Sequence, residues 1–209
     1  MSRSIRSEVV ARRTYHRPLD FNDPSKGFES WPDVIDRCIR HQQWLWERAQ
    51  HTHLSAQQYE ELEELRTLML NNQALLAGRT LWLGGTDKAK KHEACMFNCA
   101  FTQLATPSDF VDMFWLLLQG CGVGFEPVPG NIYGFASPIP NITFVPSVRS
   151  DEGNENNIDT YNRITDTWTI KVGDSSQAWA KLIGILLTSK HQNCKELIFD
   201  FSEIIPAGI

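Results

Sequence analysis

The residues with the most chemistry in them are five cysteines, Cys38, Cys95, Cys99, Cys121 and Cys194. An odd number, with no secretory leader expected from the basic Met1–Tyr15 stretch, argues against a structural disulfide framework. Zinc fares little better. Cys95 and Cys99 have a C-x3-C spacing and His92 lies close by, but no second ligand pair sits at metal spacing. What remains is buried thiols plus at least one redox-active cysteine. Cys99 stands out among them. It lies in Phe97-Asn98-Cys99-Ala100-Phe101, an aromatic and apolar run that reads as a short buried strand. Ahead lies Gly122-Val123-Gly124-Phe125, where two glycines open a second strand and let another molecule approach the backbone.

A helix has to join those two strands. Thr106 caps it, Pro107 takes the first helical position and Asp109 the first turn, and Gly120 ends it. Its apolar residues are Phe110, Val111, Phe114, Trp115, Leu117 and Leu118. Strand, helix and strand over so short a span make a crossover unit with parallel strands. The unit therefore sets a thiol beside bare backbone.

Around this centre, Met1–Gly27 reads as an extended polar arm. A helix from Ser30 carries Val34, Ile35, Cys38, Ile39, Leu45 and Trp46, and Cys38 on that stripe reads as core. Ser55 with Gln58 forms a capping-box pattern opening a second helix that runs on to Gly78. Gly78–Thr86 is a glycine-rich turn segment with no Walker pattern. Its Thr hydroxyls and Gly amides also permit a phosphate cradle. Pro127–Pro146 is too proline-broken for a long helix or a central strand. Arg149–Asp166 is polar and reads as a surface loop. Trp168–Val172 is a short strand, Asp174 or Ser175 caps a third long helix, and Leu197–Phe201 is a buried strand.

Composition limits the partners. The 209 residues carry a net charge of -5, and phosphate-backbone binding needs clustered Lys and Arg, so nucleic acid is not the expected partner. No apolar run approaches a membrane span, so no membrane partner is expected and the cytoplasm is the expected compartment.

Gly78–Thr86, Phe97–Phe101, Leu117–Phe125, Ile170–Ala180 and Leu197–Gly208 resemble, in order, successive motifs of the adenosylcobalamin-dependent ribonucleoside-triphosphate reductases. These are the class II ribonucleotide reductases in their monomeric form. Arg12–Arg17 and Trp31–Arg40 resemble that family's N-terminus. The resemblance implies an α/β fold, a helical region followed by the first half of a ten-stranded barrel of parallel strands. It divides the chain into an arm with a helical hairpin over residues 1–77 and an incomplete half-barrel over 78–209, with a polar surface loop near 149–166. The implied reaction removes the 2′-hydroxyl of a ribonucleoside triphosphate by thiyl-radical chemistry. Cys99 matches the first cysteine of the reducing pair, facing that hydroxyl. Asn98 matches a position whose backbone helps hold the ribose, and Gly122 the glycine whose main chain approaches the substrate. Thr80 or a neighbour matches a phosphate contact. Cys121 stands where some relatives carry glycine, and Cys95 and Cys194 match no family position.

The implied cofactor is adenosylcobalamin, bound mainly by a C-terminal half that the sequence does not contain. No protein-bound metal site is expected. The implied partners are that complementary half, a deoxynucleotide effector and a thioredoxin-like reductant. The radical cysteine and second reducing cysteine of the family lie past the Pro206–Gly208 motif, so this chain is expected to be inactive alone. The alternative expectation is a non-catalytic nucleotide-binding or regulatory module derived from the same fold.

Overall fold

A computed structural model describes residues 4–20, 22–132, 138–148, 153–188 and 190–205. Residues 206–209, which end the Leu197–Gly208 motif, lie outside them. The chain forms two compact units, Met1–Asn98 and Cys99–Ile209. The expected boundary after residue 77 groups Gly78–Asn98 with the barrel, whereas these residues cluster with the helical unit.

The first unit opens with α1 (Ile5–Thr14), where an extended arm is expected. Ser4 caps it by accepting the Ser7 N–H, and only Ala11 is buried. It carries no buried apolar stripe, and Arg12 stacks 3.9 Å above the Phe28 ring. That is why hydrophobic periodicity misses it.

The helices α2 (Trp31–Gln50) and α3 (Ala56–Leu70) both begin with complete capping boxes, Ser30 with Asp33 and Ser55 with Gln58. Val34, Ile35, Cys38 and Ile39 of α2 pack with Leu62 and Met69 of α3. Helix α3 stops at Leu70, short of Gly78, because Asn72 turns left-handed at φ 56° and the Gln73 N–H returns to the Leu68 carbonyl. Gly78–Leu83 is not a turn but a short helix, α4, whose Leu81 joins the same core. A last short helix, α5 (Asp87–Lys91), leads into a 3₁₀ turn at Glu93–Met96.

The second unit holds β1 (Cys99–Leu104), α6 (Pro107–Leu118) and β2 (Gly122–Pro127) as the expected parallel crossover. Thr106 and Asp109 form a reciprocal cap on α6. A second sheet contains β3 (Asn141–Val145), β4 (Ile158–Asn162), β5 (Thr167–Lys171) and β6 (Glu196–Asp200), in the order β3-β6-β5-β4. Helix α7 (Ser176–Leu187) links β5 to β6 and covers Trp168, Ile170, Val172 and Leu197 with Leu182.

Two features depart from the sequence reading. Part of the stretch expected to be a polar loop is β4, antiparallel to β5. The Asn162 side chain accepts the Ile164 and Thr165 N–H groups, and Asp166 sits at φ 59°, so this hairpin is closed by polar turn residues that look like loop. The parallel strands also form two separate groups, β1–β2 and β3–β6–β5, among the described residues. The two connecting helices meet at Gly184 of α7, where an added Cβ would lie 2.5 Å from Cγ2 of Val111.

Candidate active site

Of the five thiols, Cys38, Cys95, Cys121 and Cys194 are buried and Cys99 alone is exposed. Burial pushes the Cys38 thiol up to about 11, and its S–H donates to the Thr80 carbonyl at 3.3 Å. Burial also raises Cys194, with the Asp166 carboxylate adding to the shift. Such thiols are inert core groups. The Cys121 S–H points to the Gly122 carbonyl at 3.7 Å, a packing contact. Sequence alternation alone does not separate these thiols from Cys99.

Cys99 opens β1, and its register partner on β2 is Gly122. Gly124 pairs with Phe101 in the same ladder, and an added Cβ there would lie 3.2 Å from the Phe101 ring. Alternation places Cys99 and Phe101 on one face of the strand and Ala100, Thr102 and Leu104 on the other. Leu104 is 2% exposed beneath α6, whereas Phe101 is 68% exposed. Phe97 and Phe101 were expected to be buried. Both are instead open; β1 begins only at Cys99, and Phe101 lies on the strand face that α6 does not cover. The result is a thiol, a phenyl ring and two glycines on one open surface.

Asn98 immediately precedes Cys99 and closes the first unit. Its Oδ1 accepts from Nε of Arg79 at 2.9 Å, and Nη1 of the same arginine donates to the Cys95 carbonyl at 2.9 Å. Arg79 is the neighbour of Thr80 that the sequence reading left unnamed. The signal available was its place beside Thr80 in a glycine-flanked motif. Thr80 lies in the middle of α4, half-buried, and its carbonyl accepts from both Cys38 and the Gly84 N–H.

The glycines after α4 have a use inside the protein. Arg37 is 8% exposed, pairs with Glu29 at 2.7 Å and donates to the carbonyls of Tyr15, Leu81 and Gly84. Gly85 has φ 77°, and an added Cβ would lie 2.7 Å from Cγ of Arg37. The Gly84–Gly85 turn is thus shaped around a buried guanidinium.

The described residues contain no cluster of three or more His, Cys, Asp or Glu side chains able to hold a metal ion. No helix among them is long and apolar enough to cross a membrane. Cavities of about 430, 510 and 590 Å³ lie within the units, a size that suits a small ligand.

No protein-family model matches the chain. A protein of Lactobacillus gasseri named adenosylcobalamin-dependent ribonucleoside-triphosphate reductase is 27% identical over 244 aligned positions, covering 96% of this chain and 32% of that protein. The protein of that name from Lactobacillus leichmannii gives the same identity and the same two shares. A putative reductase of Mycobacterium phage D29 is 26% identical over 96% of this chain and 29% of its own length. The crystal structure of a B12-dependent (class II) ribonucleotide reductase matches the fold with a TM-score of 0.72 at 24% identity, over 97% of this chain and 33% of that one. The chain spans about a third of the length of the curated relatives it matches. Over nearly all its residues it is similar to the adenosylcobalamin-dependent ribonucleoside-triphosphate reductases, and it fits an N-terminal portion of that family.

Proposed function

We propose that this chain forms the thiol-bearing first half of a ribonucleotide reductase barrel and acts on a ribonucleoside triphosphate together with a complementary C-terminal polypeptide. The carrying observation is Cys99, the one exposed thiol, in register with Gly122. A glycine opposite the thiol lets a sugar lie against main chain, and an exposed thiol can act as acid and as reductant. In the proposed reaction Cys99 gives its proton to the departing 2′-hydroxyl, which leaves as water. Cys99 and a second thiol from the complementary polypeptide then pass two electrons to the nucleotide and join as a disulfide. A thioredoxin-like dithiol returns both to the thiol state. Asn98 and Gly122 hold the ribose, and Thr80 contributes to phosphate binding.

Adenosylcobalamin is the cofactor named for the relatives. We assign it, with the radical-bearing cysteine, to the complementary polypeptide. A deoxynucleotide effector belongs to the same reading. The test combines this chain with candidate complementary polypeptides, adenosylcobalamin and a dithiol, and measures deoxynucleotide formation. Activity in the mixture, absent from each part and abolished by Cys99→Ser at nearly unchanged nucleotide affinity, is expected. Undiminished turnover by Cys99→Ser removes the thiol from the reaction. Micromolar binding of adenosylcobalamin to this chain alone would overturn the assignment of the cofactor.

A further inference from the structure

We infer that Arg79 is a positioning residue for Asn98, an inference that rests on the nucleotide reading above. Arg79 reaches from α4 to two points on the approach to β1. Nε donates to the Asn98 side-chain oxygen and Nη1 to the Cys95 carbonyl, both at 2.9 Å. A guanidinium is planar, so these two donors lie in a fixed fork and set two acceptors relative to one another. The acceptors are three residues apart and lie across the last turn before the strand. The fork therefore fixes the Asn98 side chain relative to the Cys95 carbonyl.

It also fixes what Asn98 can offer. With Oδ1 committed to Arg79, the exposed amide keeps its NH₂ as the group presented outward, a donor suited to hydroxyl or phosphate oxygens. The pull of Asn98 toward α4 holds its main chain in one orientation, and the main chain is the part expected to meet the ribose. Arg79 itself need touch no ligand. Its neighbour Leu81, buried in the helical core, secures α4 as the rigid base for the fork.

The fork, and not the charge alone, carries the effect, so Arg79→Lys should fail as Arg79→Met does. In spectra of the ¹⁵N-labelled 209-residue chain, the Asn98 side-chain NH₂ pair is assigned by its loss in Asn98→Asp. Both Arg79 variants should move that pair toward the position of a free amide while the rest of the spectrum is retained. Nucleotide affinity is read separately, from the slowing of Cys99 alkylation by iodoacetamide as ribonucleoside triphosphate is added. Loss of a charge-assisted hydrogen bond should weaken that affinity about tenfold in each Arg79 variant. Leu62→Ala, a core truncation on α3 that leaves α4 and the fork in place, should leave the affinity within about twofold. An unmoved Asn98 pair in Arg79→Met, wild-type affinity in Arg79→Lys, or an equal loss in Leu62→Ala overturns the inference. If wild type shows no nucleotide protection, the nucleotide reading fails with the ligand half of the inference, and the spectrum still decides whether the fork orients Asn98.

Discussion

Cys99 differs from the other four thiols in exposure, and that difference is measurable without any substrate. Nucleophilic attack requires a thiolate that solvent and reagent can reach. In native protein a disulfide reagent should therefore modify one thiol quickly, and Cys99→Ser should remove that fast phase. The remaining four should react only once denaturant opens the units. A fast phase of two or more thiols would contradict the observed burial. The sequence identifies Cys99 only through its motif, because strand alternation does not reveal which face α6 will cover. Arg37 is a second residue whose importance no pattern announces. Its guanidinium holds Glu29 and three carbonyls with both charged partners nearly dry. Breaking such a buried pair leaves Glu29 uncompensated, so Arg37→Met should cost about 3–5 kcal/mol in denaturant unfolding. A loss under about 1 kcal/mol would show that water replaces the guanidinium freely.

His41 makes stability depend on pH. It is 2% exposed and stacks on Trp44, and burial holds its pKa below the ordinary 6.5, with Lys90 pushing the same way. Glu93 opposes that shift and Arg37 adds to it. The folded state thus binds a proton less readily than the unfolded state does. This contribution is fully present above about pH 6.5, the unfolded value, and shrinks as pH falls toward the lowered folded value. Unfolding measured from pH 7.5 down to 5 should show falling stability, and His41→Phe should flatten that slope. An unchanged slope in the variant would assign the acid sensitivity to other groups.

At the scale of elements, the capped helices were legible and the lightly anchored ones were not. Ser30 with Asp33, Ser55 with Gln58 and Thr106 with Asp109 each state a helix start in sequence, and each forms. Helix α1 has a single buried residue, and β4 is a polar edge strand, so neither leaves a periodic apolar trace. The contact between α6 and α7 was equally silent, because a glycine within an apolar helix does not say what approaches it. Gly184→Ala resolves two opposing effects. Alanine favours the helix by about 1 kcal/mol, while a Cβ placed 2.5 Å from Val111 overpacks the contact at a cost of about 1–3 kcal/mol. The clash should win, giving a net loss. Combining Gly184→Ala with Val111→Ala should recover part of it, as a favourable coupling in a double-mutant cycle. Strict additivity would mean the helices relax apart without cost.

On the scale of the whole molecule, the distribution of apolar surface bears on how the chain functions. Parallel sheets are ordinarily covered on both faces. Here Phe101 of β1, Phe125 of β2, and Ile142 and Phe144 of β3 are each at least half exposed, on strands that run parallel to their neighbours. Exposed aromatic and branched side chains on such strands fit surfaces that another polypeptide covers. The motifs made the family resemblance legible. They did not make legible how the strands group, which is set by pairing between strands far apart in sequence. If a complementary reductase polypeptide supplies that cover, adding it should lower the fluorescence of a hydrophobic dye bound to this chain, along with its tendency to self-associate. Phe144→Lys on β3 should weaken that association while leaving the isolated chain's circular dichroism and Cys99 reactivity unchanged, because Phe144 is exposed and lies in the other sheet. Full association by Phe144→Lys would exclude the β3 face from the contact and leave the face bearing Cys99 and Phe101 as the surface that meets the partner.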